Sequence, residues 1–156
     1  MRAEEGDETV EELADDAKKA EQKIDEAAGT DTHVEATFEV TNWDETPFDD
    51  GVGVSKLTEA LVTKKYAGAI EGTSVTKWLM AYAPDKTATY TGIERIHGTV
   101  GGKHGTLVLL HDGEFADGAA TATLRVLSGT DELKSASGAG TFRADPAGSV
   151  KLDIAI

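Results

Sequence analysis

Glu94 and His111 are the two residues of this 156-residue chain best placed to do chemistry together. Between them lies Gly101-Gly102, a dipeptide of the kind that closes a tight antiparallel hairpin. Counting outward from a two-residue turn sets Gly92 opposite His111 and Leu109 opposite Glu94, so the carboxyl and the imidazole become diagonal neighbours on one face. Tyr90, Ile96 and Leu107 share that face, while Thr87, Thr89, Thr91, Arg95, His97 and Thr99 take the other, so the first set reads as interior. A carboxyl enclosed by apolar walls is expected to have a raised pKa, and an adjacent histidine can share its proton, which is the physics of a general acid/base pair. Glu94 and His111 are therefore the candidate catalytic residues. The same contact could instead fix strand register, or anchor a bound molecule without transforming it. One β-bulge between the two residues would reverse their relative facing.

With a three-residue loop after Tyr82, the side chains of Trp78, Met80 and Tyr82 join the same interior. The candidate ligand-binding walls are then Trp78, Met80, Tyr82, Tyr90 and Leu109, around a small and largely apolar molecule. Trp43 and Phe48 sit in a segment rich in turn formers, from Trp43 through Gly51, which reads as a loop folded over one end of the strands. There they would plug that end or close over it as a lid, and Trp43 counts among the ligand-binding candidates. His97 and His104 flank the Gly101-Gly102 turn on the outer face, but no third ligand stands at a suitable spacing, so they read as solvated surface residues and no metal is expected. The stretch Gly98-Thr99-Val100-Gly101-Gly102-Lys103-His104 resembles a phosphate-binding loop only superficially. Its first glycine is out of place by one, His104 stands where Ser or Thr is required, and a hairpin follows it; no cofactor is expected.

These residues need strands to hold them, and from His33 to Ile156 the chain breaks into eight segments of alternating polarity. In the first, Val34, Ala36, Phe38 and Val40 alternate with His33, Glu35, Thr37 and Glu39. Further strands are predicted over about Lys56–Tyr66, Ile70–Tyr82, Ala88–Val100, a fifth ending at Phe115, then Ala119–Leu127, Lys134–Ala144 and Ser149–Ile156. Asp117-Gly118 is a second tight-turn signal. Antiparallel hairpins in this number hide their edges best by closing, so the expected fold is all-β, a closed eight-stranded antiparallel barrel over residues 31–156.

Residues 1–30 differ in composition, with acidic blocks between Ala and Lys and no aromatic residue. Val10, Leu13, Ala17, Ala20, Ile24 and Ala27 recur at helical spacing before Gly29, which predicts an acidic N-terminal helix or a disordered extension. A formal net charge of -14 argues against nucleic acid and against anionic membrane surfaces. The chain has no cysteine, which removes disulfides and thiolate chemistry, and no apolar run long enough to span a bilayer, so a cytoplasmic protein is expected. Val108 and Leu110 point away from the expected interior, and exposed apolar residues there predict a homo-oligomer, or a face covered by the N-terminal segment.

Thr41-Asn42-Trp43-Asp44-Glu45, Leu79-Met80-Ala81-Tyr82, Gly92-Ile93-Glu94-Arg95, the block from Leu107 to Phe115 and Ser128-Gly129-Thr130-Asp131-Glu132-Leu133 resemble, in order and spacing, a family of small bacterial proteins of unknown function. The resemblance covers about residues 33–145. It implies a barrel similar to that of allene oxide cyclase, or calycin-like, with an interior cavity, in a superfamily that includes cyclases and isomerases. It implies no activity of its own. Taken together, the residues and the resemblance support a small-molecule binding barrel, with two alternatives: a cofactor-independent isomerase or cyclase using Glu94 and His111, and a scaffold acting through its surface or acidic tail.

Overall fold

The computed structural model describes residues 32–156, and the expectation of an N-terminal helix or extension falls outside them. Eight strands follow in order: β1 (Thr32–Asp49), β2 (Lys56–Gly68), β3 (Ile70–Tyr82), β4 (Ala88–Val100), β5 (Lys103–Ala116), β6 (Ala119–Gly129), β7 (Ser137–Ala144) and β8 (Gly148–Ala155). Each pairs antiparallel with its sequence neighbours, and β1 also pairs with β8, so the sheet closes into a ring without free edges along its paired length. The Gly101-Gly102 turn has positive φ at both residues, 57° and 83°, and Asp117-Gly118 has 55° and 77°. Both hairpins therefore have the backbone that matches strand twist, and the register predicted from the first is found: Gly92 faces His111 and Glu94 faces Leu109.

Alternation directs one face of every strand inward. On β2 the inward set is Thr58, Ala60, Val62, Lys64 and Tyr66, and on β4 it includes Tyr90, Glu94 and Ile96. The end of the ring nearest the Gly101-Gly102 turn is filled by Val34, Ile70, Ile96, Val100, Leu107, Leu133, Leu152 and Ile154, all fully buried. Among the described residues, no helix is long and apolar enough to cross a membrane.

The structure corrects several boundaries. The segment from Trp43 to Asp49 is not a loop but the outer part of β1, which stays paired with β2 as far as Asp49↔Leu57. A bulge at Thr41 lets the strand continue while changing which residues face inward, so Trp43 and Glu45 take the facing that Phe38 has below the bulge. Pairing of β1 with β8 ends at Phe38, so this outer part stands as a wall on β2 alone. Phe48 is 61% exposed and neither plugs nor closes an end. β7 begins at Ser137 rather than Lys134, because Asp131–Leu133 winds into a 3₁₀ turn that drops Leu133 into the core. Val108 is only 9% exposed, contrary to expectation: it lies between its partner Arg95 on β4 and the bulged stretch of β6 opposite. Leu61, Val75, Leu79 and Ile93 are the outward apolar residues left about half exposed on β2, β3 and β4.

Leu133 seals one end of the ring from a three-residue turn, so its loss leaves a void that strands cannot relax into. Leu133→Ala is expected to destabilise the protein by about 2–5 kcal/mol, read as a lower urea midpoint at unchanged slope.

Candidate functional site

Above the apolar end, the ring holds a charged layer. Glu94 and His111 are both fully buried, and Nε2 of His111 lies 2.7 Å from Oε1 of Glu94, as their diagonal register requires. The hydroxyl of Tyr66 donates to Oε2 of Glu94 at 2.7 Å, and that of Ser74 donates to the same oxygen. The ammonium of Lys64 stands 3.4 Å from both carboxylate oxygens, itself fully buried. Its other side is enclosed by aromatic rings, with the centroids of Phe38, Trp78 and Phe142 at 4.6, 4.9 and 5.0 Å from Nζ. The cation thus exchanges water for one carboxylate and three ring faces, each a favourable partner when desolvated.

This arrangement reverses the expected protonation of Glu94. Burial alone would raise its pKa, but the charge of Lys64, the hydrogen bond from His111 and the Ser74 hydroxyl outweigh it and hold the pKa at about 2. Near neutral pH Glu94 is thereby an anion, not a carboxyl with a proton to give. Burial lowers the pKa of His111, opposed by Glu94 and assisted by Lys64, so the imidazole is neutral. Burial also lowers that of Lys64, with Glu94 working against it. Because an ionised carboxylate only accepts, Nε2 of His111 carries the proton and Nδ1 keeps a bare lone pair.

Above the charged layer lies a cavity of about 270 Å³, lined by Phe38, Val40, Trp43, Trp78, Met80, Tyr82, Tyr90, Phe115, Ala120, Phe142 and Ala144. Phe38, Trp78 and Phe142 belong to both layers: they line the cavity and surround the Lys64 ammonium. Trp78, Met80, Tyr82, Tyr90 and Trp43 stand where the sequence reading put them, around one hollow. Leu109 does not; it is fully buried opposite Glu94 and is absent from the lining. Glu94 and His111 are not among the lining residues either; His111 packs edge-on against Trp78 and Phe142, which are.

At the mouth, Glu45 gathers three donors: Trp43 Nε1–H at 2.9 Å, the Thr58 hydroxyl at 2.7 Å and the Tyr82 hydroxyl at 2.6 Å. Partial burial would raise its pKa, but the bonds from Thr58, Tyr82 and Trp43 and the charge of Lys56 lower it on balance. Burial and the nearby Glu45 push Tyr82 up to about 12, so it stays a phenol and a donor. This carboxylate ties the outer part of β1 to β2 and β3 and sets Trp43 against Trp78, ring centroids 5.5 Å apart.

Sequence reasoning missed Lys64, Tyr66, Ser74 and Glu45. For the first two the signal was present, since inward Thr58, Ala60 and Val62 put Lys64 and Tyr66 on the same face by parity. Glu45 could not be found that way, because the bulge at Thr41 intervenes. His97 and His104 remain exposed, and among the described residues no three His, Asp or Glu side chains gather as metal ligands.

A closed ring of eight antiparallel strands around an ionic layer and an apolar hollow defines a small all-β protein with an internal cavity. Residues 34–155 match the family model described as "Protein of unknown function (DUF3224)", and the chain belongs to that family. Its fold is similar to the crystal structure of a DUF3224 protein of unknown function from Shewanella oneidensis MR-1, with a TM-score of 0.67 and 26% identity over 81% of this chain and 97% of that one. No curated protein matches the sequence.

Lys64→Met leaves an uncompensated carboxylate in the core and is expected to cost about 3–5 kcal/mol in urea unfolding, most of it recovered in Lys64→Met/Glu94→Gln. Acid acts through the same group. With a folded pKa of about 2 against an ordinary 4.5, the ionised Glu94 stabilises fully above 4.5 and loses that contribution as pH falls toward 2. The Tm difference between the native protein and Glu94→Gln should therefore shrink across that window; a constant difference would show that Glu94 is not held ionised.

Proposed function

We propose that the protein is a binding barrel for a small, largely apolar molecule, seated in the hollow walled by Trp43, Trp78, Met80, Tyr82, Tyr90 and Phe142. The observation that carries the reading is the cavity itself: about 270 Å³, almost wholly apolar in lining and set in a closed sheet. A preformed apolar hollow with a few polar groups at its ends is the usual form of a small-ligand site. A dry apolar cavity of about 150 Å³ takes benzene, so the hollow here suits a fused bicyclic ring system or a similar compact hydrocarbon frame. Trp43 at the mouth, clamped by Glu45, completes the wall without closing it, and remains 45% exposed.

The binding reading is better supported than the isomerase or cyclase alternative. That alternative asks Glu94 to hold and release a proton, whereas Lys64 keeps it ionised and the rings of Phe38, Trp78 and Phe142 separate it from the hollow. The charged layer instead makes the cavity floor stiff, since Lys64 binds the three rings from beneath.

The chain has two tryptophans, Trp43 and Trp78, and both line the cavity, so intrinsic fluorescence reports on it directly. Titration with the neutral fluorophore N-phenyl-1-naphthylamine should quench the protein signal and raise that of the probe. Met80→Trp, which fills the hollow, should weaken binding at least about tenfold with the far-ultraviolet spectrum unchanged. Trp43→Ala should weaken it by a smaller factor. Equal binding to the native protein and the filled variant would overturn the proposal.

A further inference from the structure

Three buried side-chain atoms among the described residues have no partner within the protein, Thr76 Oγ1, Trp78 Nε1 and His111 Nδ1, and the last two are brought together by the strand register just beneath the hollow. Nε1 of Trp78 and Nδ1 of His111 are buried and make no hydrogen bond, on side chains that are 4% and 0% exposed. A buried polar group that stays unmatched is costly, so each is open to a partner from outside the protein. They are also complementary: the indole nitrogen only donates, and Nδ1 only accepts, because the proton of the imidazole sits on Nε2 facing Glu94.

The register puts them together. Trp78 on β3 pairs with Gly92 on β4, and Gly92 pairs with His111 on β5, so the two side chains flank a position that has none. A Cβ on Gly92 would come within 2.6 Å of Cδ1 of Trp78, the ring carbon bonded to Nε1, so the pyrrole edge lies over the glycine. The centroids of Trp78, Phe142 and His111 form a nearly equilateral triangle, with sides of 5.7, 5.7 and 6.0 Å. His111 therefore packs at the seam between two rings that line the cavity.

We propose that this seam is a hydroxyl-recognition subsite: the molecule in the hollow is an apolar frame bearing one uncharged hydroxyl, which donates to Nδ1 of His111 and accepts from Nε1–H of Trp78. The inference rests on the cavity reading and specifies its ligand. A carbonyl could accept from the indole but would leave Nδ1 unmatched. A carboxylate would also lack a proton to give, would meet the Glu94 anion just behind the imidazole, and finds Lys64 already paired. An ammonium has no acceptor use for the indole N–H. Of these, a neutral alcohol or phenol matches both atoms, and does so with a single oxygen.

The test compares 2-naphthol with 2-methylnaphthalene, which share a frame and differ only in the hydroxyl, by tryptophan quenching. A purely apolar hollow favours the methyl compound by about tenfold, since a hydroxyl must lose its water. The native protein is expected to bind 2-naphthol the more tightly. His111→Leu and Trp78→Phe should each move the affinity ratio by about tenfold toward 2-methylnaphthalene, a ratio in which any general weakening cancels. Should His111→Leu fail to fold, Trp78→Phe decides, with Trp43 as reporter. Preference for 2-methylnaphthalene in the native protein, or a ratio unmoved by Trp78→Phe, overturns the subsite while leaving the cavity reading intact. Binding of neither probe overturns both.

Discussion

The contact between Lys64 and Glu94 organises the inside of this protein. Neither charge could be buried alone, since moving an isolated ammonium or carboxylate out of water costs several kcal/mol even after relaxation. Together, with hydroxyls from Tyr66 and Ser74, an imidazole N–H and three aromatic faces, each finds a substitute for its hydration shell. A closed sheet is suited to this, because its interior collects side chains from β2, β3, β4 and β5 at one level without needing a loop to bring any of them in. The same enclosure makes the pair demanding: once sequestered, it has no water to fall back on, and removing one partner strands the other.

From that layer the interior divides by polarity along the ring axis. Below it, aliphatic side chains fill the end near the Gly101-Gly102 turn without a break. Above it, Phe38, Trp78 and Phe142 turn one side toward the ammonium and the other toward the hollow, so a cation outside the hollow helps to hold the rings that line it. A second carboxylate, Glu45, plays a parallel part at the mouth by holding Trp43 in the wall. Ionic groups thus position aromatic side chains at both ends of the cavity, Lys64 at the floor and Glu45 at the mouth.

How much of this could be read from the chain varies with the distance over which each feature is decided. Alternating polarity and the two tight turns determined the strands from β2 to β6 and the pairing of β4 with β5, because both are local properties of a few consecutive residues. The proximity of Glu94 and His111 followed from that register. The charge state of Glu94 did not, since it depends on Lys64, thirty residues away in sequence, and on hydroxyls of two further strand positions. Trp43 was chosen for its type, but the bulge at Thr41 that aims it inward leaves no mark in the alternation of that segment, which is full of turn-forming residues.

The amino-acid sequence by itself therefore determined an all-β chain, its hairpin register and the aromatic character of its interior, because these arise from backbone geometry and from side-chain period over short stretches. Closure of β1 on β8, the division of the interior into an ionic layer and a hollow, and the packing of His111 against Trp78 and Phe142 were decided only in three dimensions. The physical reason is that electrostatics and packing act between whichever groups meet in space, and a ring brings together strands whose separation in the chain carries no record of the meeting.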